Sequence, residues 1–341
     1  MNSEERLIKA LKREPVDRVP SFEWSIDQKV IDALSPGENY AQFSDRFDLD
    51  AICVDVDYKS EILDGGFTRN EWGIVSKNTG EAHTFPVDGP IKSRADFSAF
   101  TPPDPKAEGR FTSLEQTLQT YGGKRAVILH LNDVWSIPSR MMPFDDFIMM
   151  IMDDPQLVVD IVNMTVDINI ELARQAVKRG VKVVYTGDDY AYNSGPMISP
   201  AMFEEYFAGP LNRVIGAYKQ MGLLVIKHTD GNIMPIIDII MDSGIDCIDP
   251  IDPIAGMSLS HIKQTYGERV CIKGNVDCAN TLVYGSEQET IDETKNCIKT
   301  AALGGGYILS SSNTIHASVN PENYAAMLET WKKFGSYPIE I

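Results

Sequence analysis

The feature that most constrains this chain is a regular alternation of strand-like and helix-like runs beyond about residue 120. Short apolar runs at 126–130, 181–185, 223–227, 245–248, 270–273 and 307–310 are separated by longer segments with helical periodicity. The clearest of these covers 157–178, where Val158, Ile161, Val162, Thr165, Ile168, Leu172 and Ala176 recur at helical spacing before Gly180. Further helices are predicted at 202–221, 233–242, 259–266 and 287–303. Such alternation builds a parallel sheet, because each helix returns the chain to the end where the next strand begins. The length and number of units predict an α/β fold of the (β/α)8 barrel type over an open sheet.

The first 120 residues are less regular. The run 19–24 is an early barrel-strand candidate and 52–57 is another. Residues 73–75, a polar turn from Ser76 through Asn78-Thr79-Gly80, and 82–85 suggest a hairpin. Thr101-Pro102-Pro103-Asp104-Pro105 is too short for a domain linker. The expectation is one barrel domain over 1–341, with 1–120 an irregular N-terminal elaboration that includes early barrel elements.

Composition excludes several function classes. The 341 residues are 43% hydrophobic, enough for a large core. A net charge of -18 and no basic cluster interleaved with aromatics argue against nucleic acid and anionic membranes. No apolar stretch approaches the roughly 18–20 residues that cross a bilayer. The polar start Met1-Asn2-Ser3-Glu4-Glu5-Arg6 is unlike a signal peptide. Cys53, Cys247, Cys271, Cys278 and Cys297 lack close pairing and read as reduced thiols of a cytoplasmic protein. No glycine-rich phosphate or dinucleotide fingerprint follows a strand.

Chemistry in such folds sits at the C-terminal ends of the strands. There the chain places Trp24, Asp57 with Tyr58, His130, Asp188-Asp189, His228 with Asp230, Asp249, Asn275 with Asp277 and Cys278, and Asn313 before His316. His228 and Asp230, two apart, share a face if the strand continues. They suit a divalent-metal site, an acid–base pair or substrate-binding pair, or a structural hydrogen bond. Asp189 is favoured over Asp188 for the cleft. Trp24, Tyr58, Trp135, Tyr190, Tyr192 and Met197 suit either a ligand pocket or core packing. Cys278 is the cysteine nearest the expected cleft, as metal ligand or buried thiol. Asp57, Asn275, Asp277, Asn313 and His316 are candidate substrate contacts, though turns and caps use the same residue types.

Several of these segments fall into a recognisable series. Leu11 to Pro20 (LKREPVDRVP), Ser199-Pro200 leading to Phe203, His228-Thr229-Asp230-Gly231-Asn232, Gly274-Asn275-Val276-Asp277, and Gly304-Gly305-Gly306-Tyr307 followed by Ser310-Ser311-Ser312-Asn313 resemble the uroporphyrinogen decarboxylase superfamily in order along nearly the whole chain. The resemblance implies a (β/α)8 barrel with a strand-end cleft. True decarboxylases carry an Arg-Gln-Ala-Gly-Arg run that binds porphyrinogen carboxylates, whereas Ser21 to Lys29 contains no arginine. Thiol-activating methyltransferases of the superfamily carry a His-x-Cys zinc pair; here Asp230 stands at the cysteine position.

The pattern is more similar to demethylating members. These move a methyl group from a methoxylated aromatic or other small methylated compound to the cobalt of a separate corrinoid protein. This chain has no Asp-x-His-x-x-Gly cobalamin signature, so the corrinoid (cobalamin) is expected on that partner. The resemblance implies catalytic duty for His228, Asp230 and Asp189, and a metal, with zinc the candidate, on His228, Asp230 and Cys278. It also implies a homodimer. A decarboxylase-like lyase and a non-catalytic binding barrel are the alternatives.

Overall fold

The computed structural model describes residues 1–77 and 85–341. Its central sheet contains seven parallel strands: β1 (Ala51–Val54), β2 (Ala126–Leu131), β3 (Val183–Gly187), β4 (Leu224–His228), β5 (Cys247–Asp249), β6 (Cys271–Val276) and β7 (Tyr307–Ser311). Chain order and sheet order coincide, and every pairing is parallel. This is the curled, helix-surrounded arrangement of a distorted (β/α)8 barrel.

The sheet curls until both edge strands reach one segment. The Leu309 N–H donates to the Pro20 carbonyl at 2.9 Å, and the Asp50 N–H donates to the Ser21 carbonyl at 2.7 Å. Ser21 also forms an isolated parallel bridge with Leu309. The run 19–24 thus takes the eighth position through isolated bonds rather than a regular strand. Pro20 has no N–H to contribute to a ladder there. The last helix, Pro321–Phe334, pins this run from outside, with Trp331 Nε1 donating to the Val19 carbonyl at 2.7 Å.

The long predicted helix is Pro155–Lys178; Asp154 caps it, Pro155 opens it, and Gly180 leaves it at φ 95°. The helix expected at 202–221 is Pro200–Phe203 and Gly209–Gln220, joined by a π turn at Glu204–Ala208. Between β1 and β2, a four-stranded antiparallel sheet comprises Ser60–Leu63, Phe67–Asn70, Val75–Lys77 and Phe85–Asp88. Its last pairing lies where the hairpin is expected but is shifted: Ser76, expected in the turn, belongs to the strand Val75–Lys77 that pairs with Phe85–Asp88, while 78–80 and 82–84 lie outside the described residues. Among the described residues no helix is long and apolar enough to cross a membrane.

Strand alternation positions the site. Ala126 and Ile128, Val183 and Tyr185, and Leu224 and Ile226 share one interior cluster with Leu7, Ala10 and Leu11 of the first helix, Ser3–Leu11. The next residue on the same face of each strand is His130, Gly187 or His228. An apolar lower lumen sealed by a helix therefore gives way to a polar mouth at the strand C-termini.

Candidate functional site

His228 ends β4, almost fully buried, and its two ring nitrogens meet different partners. Nδ1 lies 2.7 Å from Asp249 Oδ2 at the end of β5. Asp249 also accepts the Tyr185 hydroxyl and, at 2.7 Å, Lys273 Nζ from β6. Burial alone would raise the Asp249 carboxyl, but Lys273 and His228 hold it down to about 2. An ionised carboxylate only accepts, so Nδ1 carries a proton and Nε2 is left for the cleft.

Nε2 faces Asp230 Oδ1 at 3.4 Å and Asp189 Oδ1 at 3.6 Å. Donor atoms of Asp189, His228 and Asp230 all lie within 4.8 Å of one another. Burial alone would lower the imidazole, but Asp230 and Asp249 on its two sides hold it up to about 10. Burial raises Asp230; His228 opposes that shift, while Asp189 and Asp252 add to it. Asn313 donates its amide to Asp230 Oδ2, and Oδ1 is buried with no hydrogen-bond partner.

That orphaned oxygen beside an imidazole nitrogen and a second carboxylate fits a divalent cation. The donor set is one nitrogen and carboxylate oxygens, a set that zinc and other borderline or hard divalent ions accept. Asp249 behind Nδ1 supplies the outer carboxylate that commonly orients a metal-binding histidine.

The adjacent pair Asp188-Asp189 divides its work by strand alternation. Asp188 turns inward and accepts backbone N–H groups from Asp133, Trp135 and Ser136 and the Asn132 amide. Burial would raise it, yet Lys227 and these donors hold it well below the usual carboxylate range. Lys227 points away from His228, 2.8 Å from Asp133 Oδ2, and donates to the Asp188 carbonyl. This network shapes the loop that carries Trp135. Asp189 remains half-exposed and borders a cavity of about 280 Å³ whose walls include Trp135, Arg140, Met142, Phe144, Tyr192 and Met197.

The structure brings Trp24 to the triad: its ring stacks on Tyr185 at 5.7 Å and tilts toward His228 at 5.8 Å. Asn313 arrives from the loop after β7. Other sequence candidates sit elsewhere for evident reasons. Asp57 accepts from the Ser113 N–H and hydroxyl, and Tyr58 lies under the Arg110 guanidinium. Tyr190 is buried, its hydroxyl on Asp133 and its ring against Lys227. Asn275 turns outward to the Ile251 carbonyl. Asp277 closes its own turn by accepting from Ala279 and Asn280. His316 reaches the Cys278 carbonyl at 3.0 Å.

Cys278 does not join the three-residue cluster; its sulfur accepts from Ser312, and burial pushes the thiol up to about 12. Asp189 is the third clustered group instead. Asp249, Lys273 and Arg140 are the site residues that sequence reasoning left without a role. Asp249 was visible as a polar strand end, but Lys273 resembles any strand residue until β5 and β6 pair.

Residues 78–334 match the family model described as uroporphyrinogen decarboxylase (URO-D). The chain belongs to this family. It is 22% identical to a uroporphyrinogen decarboxylase from Nitrosococcus oceani, over 95% of this chain and 94% of that protein. It is 20% identical to one from Thioalkalivibrio sulfidiphilus, over 97% and 98%. Among solved structures, a methyltransferase from Methanosarcina mazei has the same fold, with TM-score 0.75 at 17% identity over 98% of this chain and 99% of that one. The fold is therefore shared with a methyltransferase, while the sequence relatives carry the decarboxylase name.

Proposed function

We propose that this protein is a methyltransferase that demethylates a small methylated compound, of the methoxyaromatic type, and passes the methyl group to the cobalt of a separate corrinoid protein. The observation that carries the reading is the buried Asp230 Oδ1, which has no hydrogen-bond partner, clustered with His228 Nε2 and Asp189 at the border of an aromatic cavity. The absence of arginine from Ser21 to Lys29 also favours it over decarboxylation of a polyanionic porphyrinogen. The methyltransferase likeness in fold adds to it.

An alkoxide or phenoxide is a poor leaving group, so its departure needs stabilisation of developing negative charge. A divalent ion, zinc by preference, held by Asp189, His228 and Asp230 would supply Lewis-acid polarisation at that oxygen. Asp249 holds the imidazole with Nε2 toward the cleft. Trp24 and the cavity aromatics exclude water and bind the donor's ring. Asn313 fixes the Asp230 carboxylate.

Full-length protein prepared without chelators should contain stoichiometric divalent metal. Mixed with a Co(I) corrinoid protein and a methoxyaromatic panel, it should yield demethylated product and the methylated corrinoid spectrum. His228→Ala should lose both metal and transfer. Retention of stoichiometric metal by His228→Ala removes His228 as an essential ligand. No transfer from any oxygen- or nitrogen-methyl donor counts against the reading as a whole.

A further inference from the structure

We infer that Arg140 is an anion anchor that selects a methyl donor bearing a carboxylate and sets which end of it faces the Asp189, His228 and Asp230 cluster. The methyl-donor identity rests on the reading above; the anion rests on the cavity itself. Arg140 and Asp189 border the same cavity, whose other walls include Trp135, Phe144, Tyr192 and Met197. One ligand filling it meets an apolar body, one cation and one carboxylate.

The cation stands out because of how the other arginines are used. In a chain of net charge -18, the described arginines other than Arg13 and Arg140 each pair with a carboxylate. Arg140 has no carboxylate partner among the described residues, and of the two only Arg140 borders this cavity. Its backbone is nevertheless held firmly. The Ile91 N–H donates to the Met141 carbonyl at 2.9 Å. Gly89 presses so close that a Cβ there would lie 2.5 Å from the Arg140 carbonyl oxygen. A fixed base with an unengaged planar fork matches bidentate recognition of a carboxylate.

Charge then orients the ligand. Asp189 and Asp230 offset the charge of the divalent ion they would hold, so Arg140 is the uncompensated cation lining the cavity, and a donor with both groups enters carboxylate toward Arg140 and methoxy group toward the cluster. A neutral donor lacks that guide. The substrate class is therefore a methoxylated aromatic carboxylate.

The test is calorimetric binding to the full-length protein, with no corrinoid present, of 4-methoxybenzoate and its neutral near-isostere 4-methoxybenzamide. The benzoate should bind at least about tenfold tighter, a preference that weakens as salt screens the pair. Arg140→Gln should cost the benzoate about tenfold or more and leave the benzamide within about twofold, with Arg140→Lys intermediate. Arg140 is exposed, so these variants should fold normally. Equal losses for both ligands, no loss for the benzoate, or no binding of either by the wild type would overturn the anchor. Selective anchoring without methyl transfer would instead refute the transfer reading and leave the anchor standing.

Discussion

Asp249→Asn is the sharpest probe of the site, because it removes a charge while conserving shape. Asp249 and Lys273 are 1% and 0% exposed, 2.7 Å apart, and His228 Nδ1 stands 2.7 Å from the other carboxylate oxygen. An asparagine offers one acceptor oxygen where His228, Tyr185 and Lys273 all bring donors. Removing one partner of a buried pair costs about 3–5 kcal/mol, mostly because the remaining charge is stranded. Urea unfolding at pH 7 should show a loss in that range. The double variant Asp249→Asn with Lys273→Met also removes the stranded cation, so it should regain at least about 2 kcal/mol.

Metal affinity should respond differently. Without the ionised carboxylate behind Nδ1, His228 is a weaker and less oriented ligand, and affinity should fall about 10–100-fold in both variants. Competition with a chromogenic chelator reads this directly. Stability recovered without metal affinity separates the two roles of Asp249. The reasoning fails if Asp249→Asn loses less than about 1 kcal/mol, or if the double variant is no more stable than the single one.

Two further predictions concern pH. Burial pushes Glu23 up to about 7, although Lys273 and two bonds from Ser311 oppose the shift. Its folded value is above the unfolded one, so its contribution is full below about pH 4.5 and lost as pH rises through about 7; Glu23→Gln should flatten part of that decline in urea titrations, and an unchanged slope would refute it. His228, held near 10, must surrender its Nε2 proton to a metal. Chelator competition should therefore show affinity rising up to about tenfold per pH unit from 6 to 9 with about one proton released, and a flat profile would exclude Nε2 as a ligand.

Much of the fold could be read from local pattern, because helical and strand periodicities are properties of short windows. The helix at 259–266 appears as Leu259–Tyr266, and the strand at 307–310 as Tyr307–Ser311. Other strands move toward the C-terminus: 181–185 becomes Val183–Gly187, and 245–248 becomes Cys247–Asp249. Ladder partners, absent from any local window, decide where a strand starts. Closure through Pro20 and Ser21 was hidden for the same reason. At the site, His228, Asp230 and Asp189 were visible as polar strand ends. Tyr190 and Asn275 share that signature but turn into packing, Tyr190 against Asp133 and Lys227 and Asn275 onto the Ile251 carbonyl, contacts that no local window displays. Arg140 carries no local mark at all; its significance is the lack of a carboxylate partner among the described residues.

The charges at the barrel mouth alternate, and this explains why His228 can be surrounded by carboxylates. Lys273 neutralises Asp249 on the lumen side, so the pair presents His228 with a directed acceptor rather than a net negative charge. On the cleft side, the cation that Asp230 and Asp189 meet among the described residues is the imidazole. A protonated His228 balances one of the two carboxylates and leaves one negative charge of the cluster uncompensated. Exchange of the Nε2 proton for a divalent ion gives a neutral imidazole, two carboxylates and two positive charges, and the cluster closes without residue. A thiolate at position 230 would keep that charge count but bind softer metals more strongly. Asp230 therefore changes the ligand's hardness rather than the electrostatic balance, and that balance would accommodate a divalent cation between Asp189, His228 and Asp230.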